Sequence, residues 1–124
     1  VVLPRLKGDL LEVLIRVTQG DVSGVSLEWD ERSYVAVVLA SYGYPGKYAT
    51  GFPISGLDEL APDITVFHAG TRLEDGAVLT DGGRVLAVSG LGGTLGEARL
   101  RAYDGAARIR FDGSFYRGDI ALVQ

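Results

Sequence analysis

Short apolar runs separated by turn residues predict that much of this chain is built from β-strands. Residues 33–41 are almost wholly apolar, the pattern of a central strand that is buried on both faces. The dipeptide Asp75-Gly76 lies between two short apolar segments, which is a strong signal for a tight hairpin. Further strands are predicted at residues 25–29, 64–69, 71–74, 77–80 and 84–89.

Two other stretches repeat apolar or small residues with helical spacing. Residues 9–19 begin at a capping Asp9 and end before Gly20, which suits the left-handed end of a helix. A second helix begins at the capping box Thr94 to Glu97, and its alanines recur at every fourth position. Helices and strands together predict an α+β fold, a single mixed or antiparallel sheet of four to five strands covered by two helices.

Composition narrows the classes of protein that fit this pattern. A chain of 124 residues has the length of a single domain. Its net charge of −4 argues against sequence-independent binding to nucleic acid. No apolar run is long enough to span a membrane, and the absence of Cys excludes disulfides. The chain also lacks Met, even an initiator, so we expect it to be cut from a longer polypeptide.

His68 is the only histidine, and it lies where a predicted strand runs into a glycine turn. Its imidazole is the one side chain whose ordinary pKa is near neutrality. A lone histidine without a Ser, Cys or metal partner is most often structural. The alternative is a hydrogen-bonding role at the edge of a cleft.

Glycine-rich turns supply the other candidate chemistry. The turn Gly82-Gly83-Arg84 is either a simple hairpin with a surface arginine or an anion contact, in which backbone N–H groups and a guanidinium approach a phosphate. The glycines before Thr94 either form a loop into the helix cap or hold phosphate at the helix N-terminus. The loop that follows the predicted strand 33–41 contains three tyrosines, Tyr42, Tyr44 and Tyr48. They either line a pocket or pack that loop on the domain.

Several of these segments resemble, in the same order and with similar gaps, the phosphoribosylamine–glycine ligases. The matching segments cover nearly the whole chain: residues 4–10, 41–45, 54–57, 66–71, 82–86, 94–98 and 111–120. The string at residues 66–71 discriminates against a biotin-carboxylase-like C-terminal domain, which is the first alternative. The second alternative is a free-standing ligand-binding or oligomerising module.

The resemblance implies the C-terminal lobe of an ATP-grasp ligase. Residues 1–20 would be the end of the ATP-grasp domain and a connecting helix, and residues 21–124 the C-terminal substrate-cleft domain. In this family ATP phosphorylates the carboxylate of glycine, and the amine of 5-phosphoribosylamine attacks the acyl phosphate to give glycinamide ribonucleotide. ATP and Mg²⁺ would bind to the full-length enzyme, so we expect neither on this chain and no activity from it alone.

The resemblance also implies partners and a site. The partners would be the N-terminal and ATP-grasp domains of the same polypeptide and the substrate phosphoribosylamine, in the cytoplasm, without nucleic acid or membrane. We expect a lobe separated from those domains to self-associate. No catalytic or metal-binding residue is expected, and the predicted substrate-binding residues are His68, Gly70, Thr71, Gly82, Gly83 and Arg84.

Overall fold

The structure, a computed structural model, describes residues 1–122. Val123 and Gln124, the last residues of the predicted domain 21–124, lie outside the described residues. The chain divides into two compact units, Val1–Arg32 and a second unit that begins at Ser33. A boundary at residue 20, with an ATP-grasp segment before it, stays a prediction.

The first unit contains a short 3-10 helix (Leu3–Arg5), one α-helix and a two-stranded ribbon. Its elements are β1 (Leu6–Lys7), α1 (Leu10–Gln19) and β2 (Glu28–Trp29), and the two strands pair antiparallel. The Asp9 carboxylate accepts the N–H of Leu11 at 2.8 Å, and Gly20 ends the helix with a φ of 74°. The predicted helix and both of its caps are therefore confirmed, whereas the predicted strand 25–29 is reduced to its last two residues.

The second unit contains a four-stranded antiparallel sheet and one long helix. Its elements are β3 (Ser33–Ser41), β4 (Ile64–His68), β5 (Thr71–Glu74), β6 (Ala77–Thr80), β7 (Arg84–Gly92), α2 (Leu95–Arg108) and β8 (Ser114–Phe115). The sheet order is β4-β7-β3-β8, and β5 and β6 form a separate hairpin. The α+β class is confirmed; where one sheet is predicted, the strands of residues 1–122 form three.

Helix α2 lies close on the sheet because small residues meet at the contact. The buried alanines of α2 are the predicted stripe: Ala98, Ala102 and Ala106. Opposite them Gly90 of β7 has no room for a side chain, since an added Cβ would collide with the helix backbone at Ala98 and Ala102. Thr94 caps the helix by accepting the N–H of Glu97 at 3.2 Å.

The two faces of β3 differ in burial. Val35, Val37 and Leu39 belong to the core cluster with the α2 alanines, and all three are buried. Val38 points to the other face and is 43% exposed. The prediction that β3 is buried on both faces is therefore wrong at Val38, because α2 covers only the face that carries its neighbours.

Candidate functional site

The end of β4 and the turn before β7 meet through their glycines. Gly70 accepts the backbone N–H of Asp81 at 2.7 Å and donates its own to Val85 at 3.1 Å. A Cβ on Gly70 would lie 2.7 Å from the Cα of Gly82. The two segments that the sequence predicts to share a cleft are thus in backbone contact.

A β-bulge at Val85 sets the direction of Arg84. Leu39 pairs with Leu86, but the next residue of β3, Ala40, pairs with Arg84, so Val85 is the extra residue of β7. A bulge of this kind reverses the side-chain alternation of the strand beyond it. Arg84 consequently lies on the same face as Val38, away from α2.

That face carries an open groove beside Arg84. Val38 and Ala87 line its sheet side, and the rings of Tyr44 and Tyr48 stand next to Gly83. The two rings lie 6.4 Å apart, centroid to centroid. Tyr44 and Tyr48 therefore pack their loop on the domain and also line the groove, so both alternatives hold for these two residues. Tyr42 is 81% exposed and does not line the groove.

The groove holds polar groups without partners. The Arg84 guanidinium is exposed and makes no hydrogen bond or ion pair with any of residues 1–122. Within the same range, the backbone N–H groups of Gly82 and Gly83 also have no acceptor. A cation beside free backbone donors is an arrangement that suits a phosphate or carboxylate.

His68 lies at the same strand end but outside this groove. It pairs with Leu86 in the sheet register, on the α2 side, and its Nδ1 lies 2.9 Å from the hydroxyl oxygen of Thr71. The structure thus brings Gly70, Gly83 and Arg84 to one groove, with Gly82 packed against Gly70. His68 and Thr71 contact each other outside the groove.

A second arginine borders the glycine turn and forms ion pairs with two carboxylates. Arg72 donates to Glu74 at 2.8 Å and to Asp81 at 3.2 Å. The Glu74 carboxylate, and then that of Asp81, raise the pKa of Arg72. The ion pair between Arg72 and Asp81 ties the β5–β6 hairpin to the turn next to the groove.

Two features of the site are not predicted from the sequence. The bulge at Val85 has no local signature, because it arises from the register between strands far apart in the chain. Ser41 is the last residue of β3, and no sequence motif predicts its hydrogen bond. Its hydroxyl donates to the Gly82 carbonyl at 2.9 Å. The one signal in the sequence is that Ser41 begins the segment 41–45, which resembles the family.

Neither a metal site nor a membrane span is found in the described part of the chain. Residues 1–122 contain no group of three or more His, Asp or Glu side chains that could hold a metal ion. Neither described α-helix has the length and apolarity that a membrane span requires.

Comparison with known proteins identifies the family. Residues 34–123 match the family described as phosphoribosylglycinamide synthetase, C domain. The chain belongs to this C-domain family. The match begins at the second residue of β3, two residues after the end of the first compact unit.

Relatives of this C domain are much longer proteins. The chain is 48% identical to a phosphoribosylamine–glycine ligase of Halalkalibacterium halodurans, over 97% of this chain and 28% of that protein. It is 48% identical to the chloroplastic enzyme of the same name from Arabidopsis thaliana, over 97% of this chain and 23% of that protein. The chain thus spans about a quarter of the length of these relatives.

A solved structure supports the same fold. The crystal structure of phosphoribosylamine–glycine ligase from Thermotoga maritima is 35% identical, with a TM-score of 0.72. The similarity covers 89% of this chain and 27% of that one. Membership in the C-domain family decides against the biotin-carboxylase-like alternative.

Proposed function

We propose that this chain is the C-terminal domain of an ATP-dependent ligase that joins glycine to 5-phosphoribosylamine to give glycinamide ribonucleotide. The observation that carries the proposal is the family match over residues 34–123, together with relatives of that name that are about four times longer. The N-terminal and ATP-grasp domains of the same polypeptide would be its partners, in the cytoplasm. Residues 1–20 would form the end of the ATP-grasp domain and a connecting helix.

The groove at Arg84 would contribute to the phosphoribosylamine site. The substrate carries a 5-phosphate, and a reaction between two bound molecules requires that phosphate to be held rigidly. The unpaired guanidinium of Arg84 and the free N–H groups of Gly82 and Gly83 are donors suited to it. Gly70 allows the turn to pack directly on the end of β4, because a Cβ there would collide with the backbone of Gly82 and Arg84. His68 with Thr71 would border the pocket.

ATP and Mg²⁺ would bind elsewhere in the longer polypeptide. The described residues offer no cluster of three carboxylate or imidazole ligands for a metal ion. ATP would supply the phosphoryl group that activates glycine, and the part of this C domain would be to hold phosphoribosylamine. We therefore propose that the isolated chain is inactive.

The test compares two proteins. The longer polypeptide that contains this chain, and the chain alone, are assayed for ADP release with glycine and 5-phosphoribosylamine. We expect release from the longer protein only when both substrates are present, and none from the chain. ADP release from the longer protein in the absence of either substrate would overturn the proposed reaction. ADP release by the chain alone would overturn the proposal that the isolated chain is inactive.

A further inference from the structure

Ser41 is a buried side chain next to the groove, and the proposed function gives it no role. It is the last residue of β3 and is only 3% exposed. Its hydroxyl donates to the carbonyl of Gly82 at 2.9 Å, and its backbone N–H donates to the carbonyl of Gly83 at 2.9 Å. One residue therefore holds both carbonyls of the diglycine turn.

The hydrogen bond from the Ser41 hydroxyl also sets the orientation of the Gly83 N–H group. The peptide group between Gly82 and Gly83 is planar and trans, so the carbonyl of Gly82 and the N–H of Gly83 point in opposite directions. Because Ser41 draws that carbonyl toward itself, it turns the N–H of Gly83 away from β3. Glycine has the widest backbone freedom of any residue, so without this contact the peptide group is much less constrained.

We infer that Ser41 is a positioning residue for an anion subsite formed by the Gly83 N–H and the Arg84 guanidinium. The inference rests on the proposed function and adds to it the residue that orients the backbone donor. Ser41 itself does not touch the anion. Its hydroxyl holds the peptide so that a phosphate on Arg84 also meets the N–H of Gly83.

Binding to the chain itself tests the inference independently of ligase activity. Ribose 5-phosphate, a stable molecule with the phosphate of the proposed substrate, is titrated while the amide signals of Gly82 and Gly83 are followed by NMR, with inorganic phosphate as a second probe. We expect both probes to shift the Gly83 amide. Ser41→Ala should weaken binding roughly threefold to tenfold, the effect of one hydrogen bond.

Three comparisons separate positioning from a general loss of stability. Ser41→Thr keeps the hydroxyl and should bind like the parent chain. Ser55→Ala removes a hydroxyl that also donates to a carbonyl, that of Arg110. Neither of these residues lines the groove, so this variant should leave binding unchanged. In the Arg84→Ala background, Ser41→Ala should have a smaller effect, since the two residues serve one anion.

Each contrary result has a distinct meaning. Unchanged binding in Ser41→Ala, or an equal loss with and without Arg84, would overturn the role of Ser41. A Gly83 amide that neither probe shifts would overturn the subsite, while substrate-dependent ADP release by the longer polypeptide would still uphold the proposed reaction. If Ser41→Ala does not fold, Ser41→Cys, a weaker donor of similar size, provides the same comparison.

Discussion

Gly70 and Gly82 lie backbone to backbone, and neither position has room for a methyl group. A Cβ on Gly70 would lie 2.7 Å from the Cα of Gly82, and a Cβ on Gly82 would lie 2.9 Å from the Cα of Gly70. The contact is mutual and involves main-chain atoms, so no side-chain rotation can relieve it. Together with the hydrogen bond from the Asp81 N–H to the Gly70 carbonyl, this contact joins the end of β4 to the turn that carries Arg84.

Substitution of Gly70 by alanine should therefore be costly. We expect Gly70→Ala to lower the free energy of unfolding by about 1–3 kcal/mol, the usual effect of overpacking. Urea unfolding followed by circular dichroism measures it. Gly118→Ala is the matched control, because a Cβ there meets nothing within 4 Å. Equal stability of the two variants would show that the β4 end can move away from the turn.

Arg84→Ala should impair substrate binding and leave stability nearly unchanged. In the longer enzyme we expect the KM for phosphoribosylamine to rise roughly tenfold or more, because a charge-assisted contact to phosphate is worth about 1.5–3 kcal/mol. The KM for ATP should hardly change. Steady-state kinetics with each substrate varied in turn provides the measurement.

Arg110 offers the control for Arg84. Its side chain is also exposed and makes no hydrogen bond or ion pair with another described residue, but it lies outside the groove. Arg110→Ala should leave both KM values unchanged. If Arg84→Ala lowered only the melting temperature, Arg84 would be a structural residue and the assignment of the site would be wrong.

Asp30 should make the first unit sensitive to acid. Hydrogen bonds from the Arg32 side chain, and then from its backbone N–H, hold the pKa of Asp30 well below its usual range. A depressed pKa means that the charged carboxylate stabilises the fold above about pH 3.9, and that this contribution is lost as the pH falls through the folded value. An NMR titration of the Asp30 carboxyl should show the low midpoint.

The partner of Asp30 can be removed to check the cause. In Arg32→Gln the Asp30 midpoint should rise toward the ordinary value for aspartate. Asp30→Asn should lose less stability than the parent chain when the pH is lowered from 7 to 3. An Asp30 that titrates at its ordinary pKa in the parent chain would contradict the prediction.

Local signals in the sequence predict the elements of this fold well. The caps of α1 at Asp9 and Gly20 and the hairpin at Asp75-Gly76 depend on neighbouring residues, and the structure has all of them. The family resemblance, which uses many such segments in order, is likewise confirmed by the match over residues 34–123.

Features that depend on contacts between distant segments are not predictable in this way. The face on which Arg84 lies is decided by one extra residue, Val85, in its pairing with β3. The strand pattern alone puts Arg84 on the face of Leu86, toward α2. The hydroxyl of Ser41 reaches a carbonyl 41 residues away, and nothing near Ser41 in the sequence indicates that partner.

The apolar side of α1 leads to the last prediction, which concerns self-association. The sequence predicts that Leu10, Leu14 and Val17 share one side of this helix, a pattern that normally indicates burial. Yet no residue of α1 is buried, and Leu14 and Val17 are 51% and 54% exposed. Exposed apolar clusters on a soluble chain favour association with another surface.

We expect the chain to form dimers or larger species as its concentration rises, and sedimentation velocity over a range of concentrations measures this. Leu14→Glu should shift the distribution toward monomer, because it places a charge in the middle of the apolar side of α1. Leu100→Glu is the matched control: Leu100 is an exposed leucine of α2 that lies between two arginines in the sequence, so its replacement should leave association unchanged. A chain that stays monomeric at high concentration would contradict the prediction, and equal effects of the two substitutions would show that net charge, not the apolar side of α1, controls association.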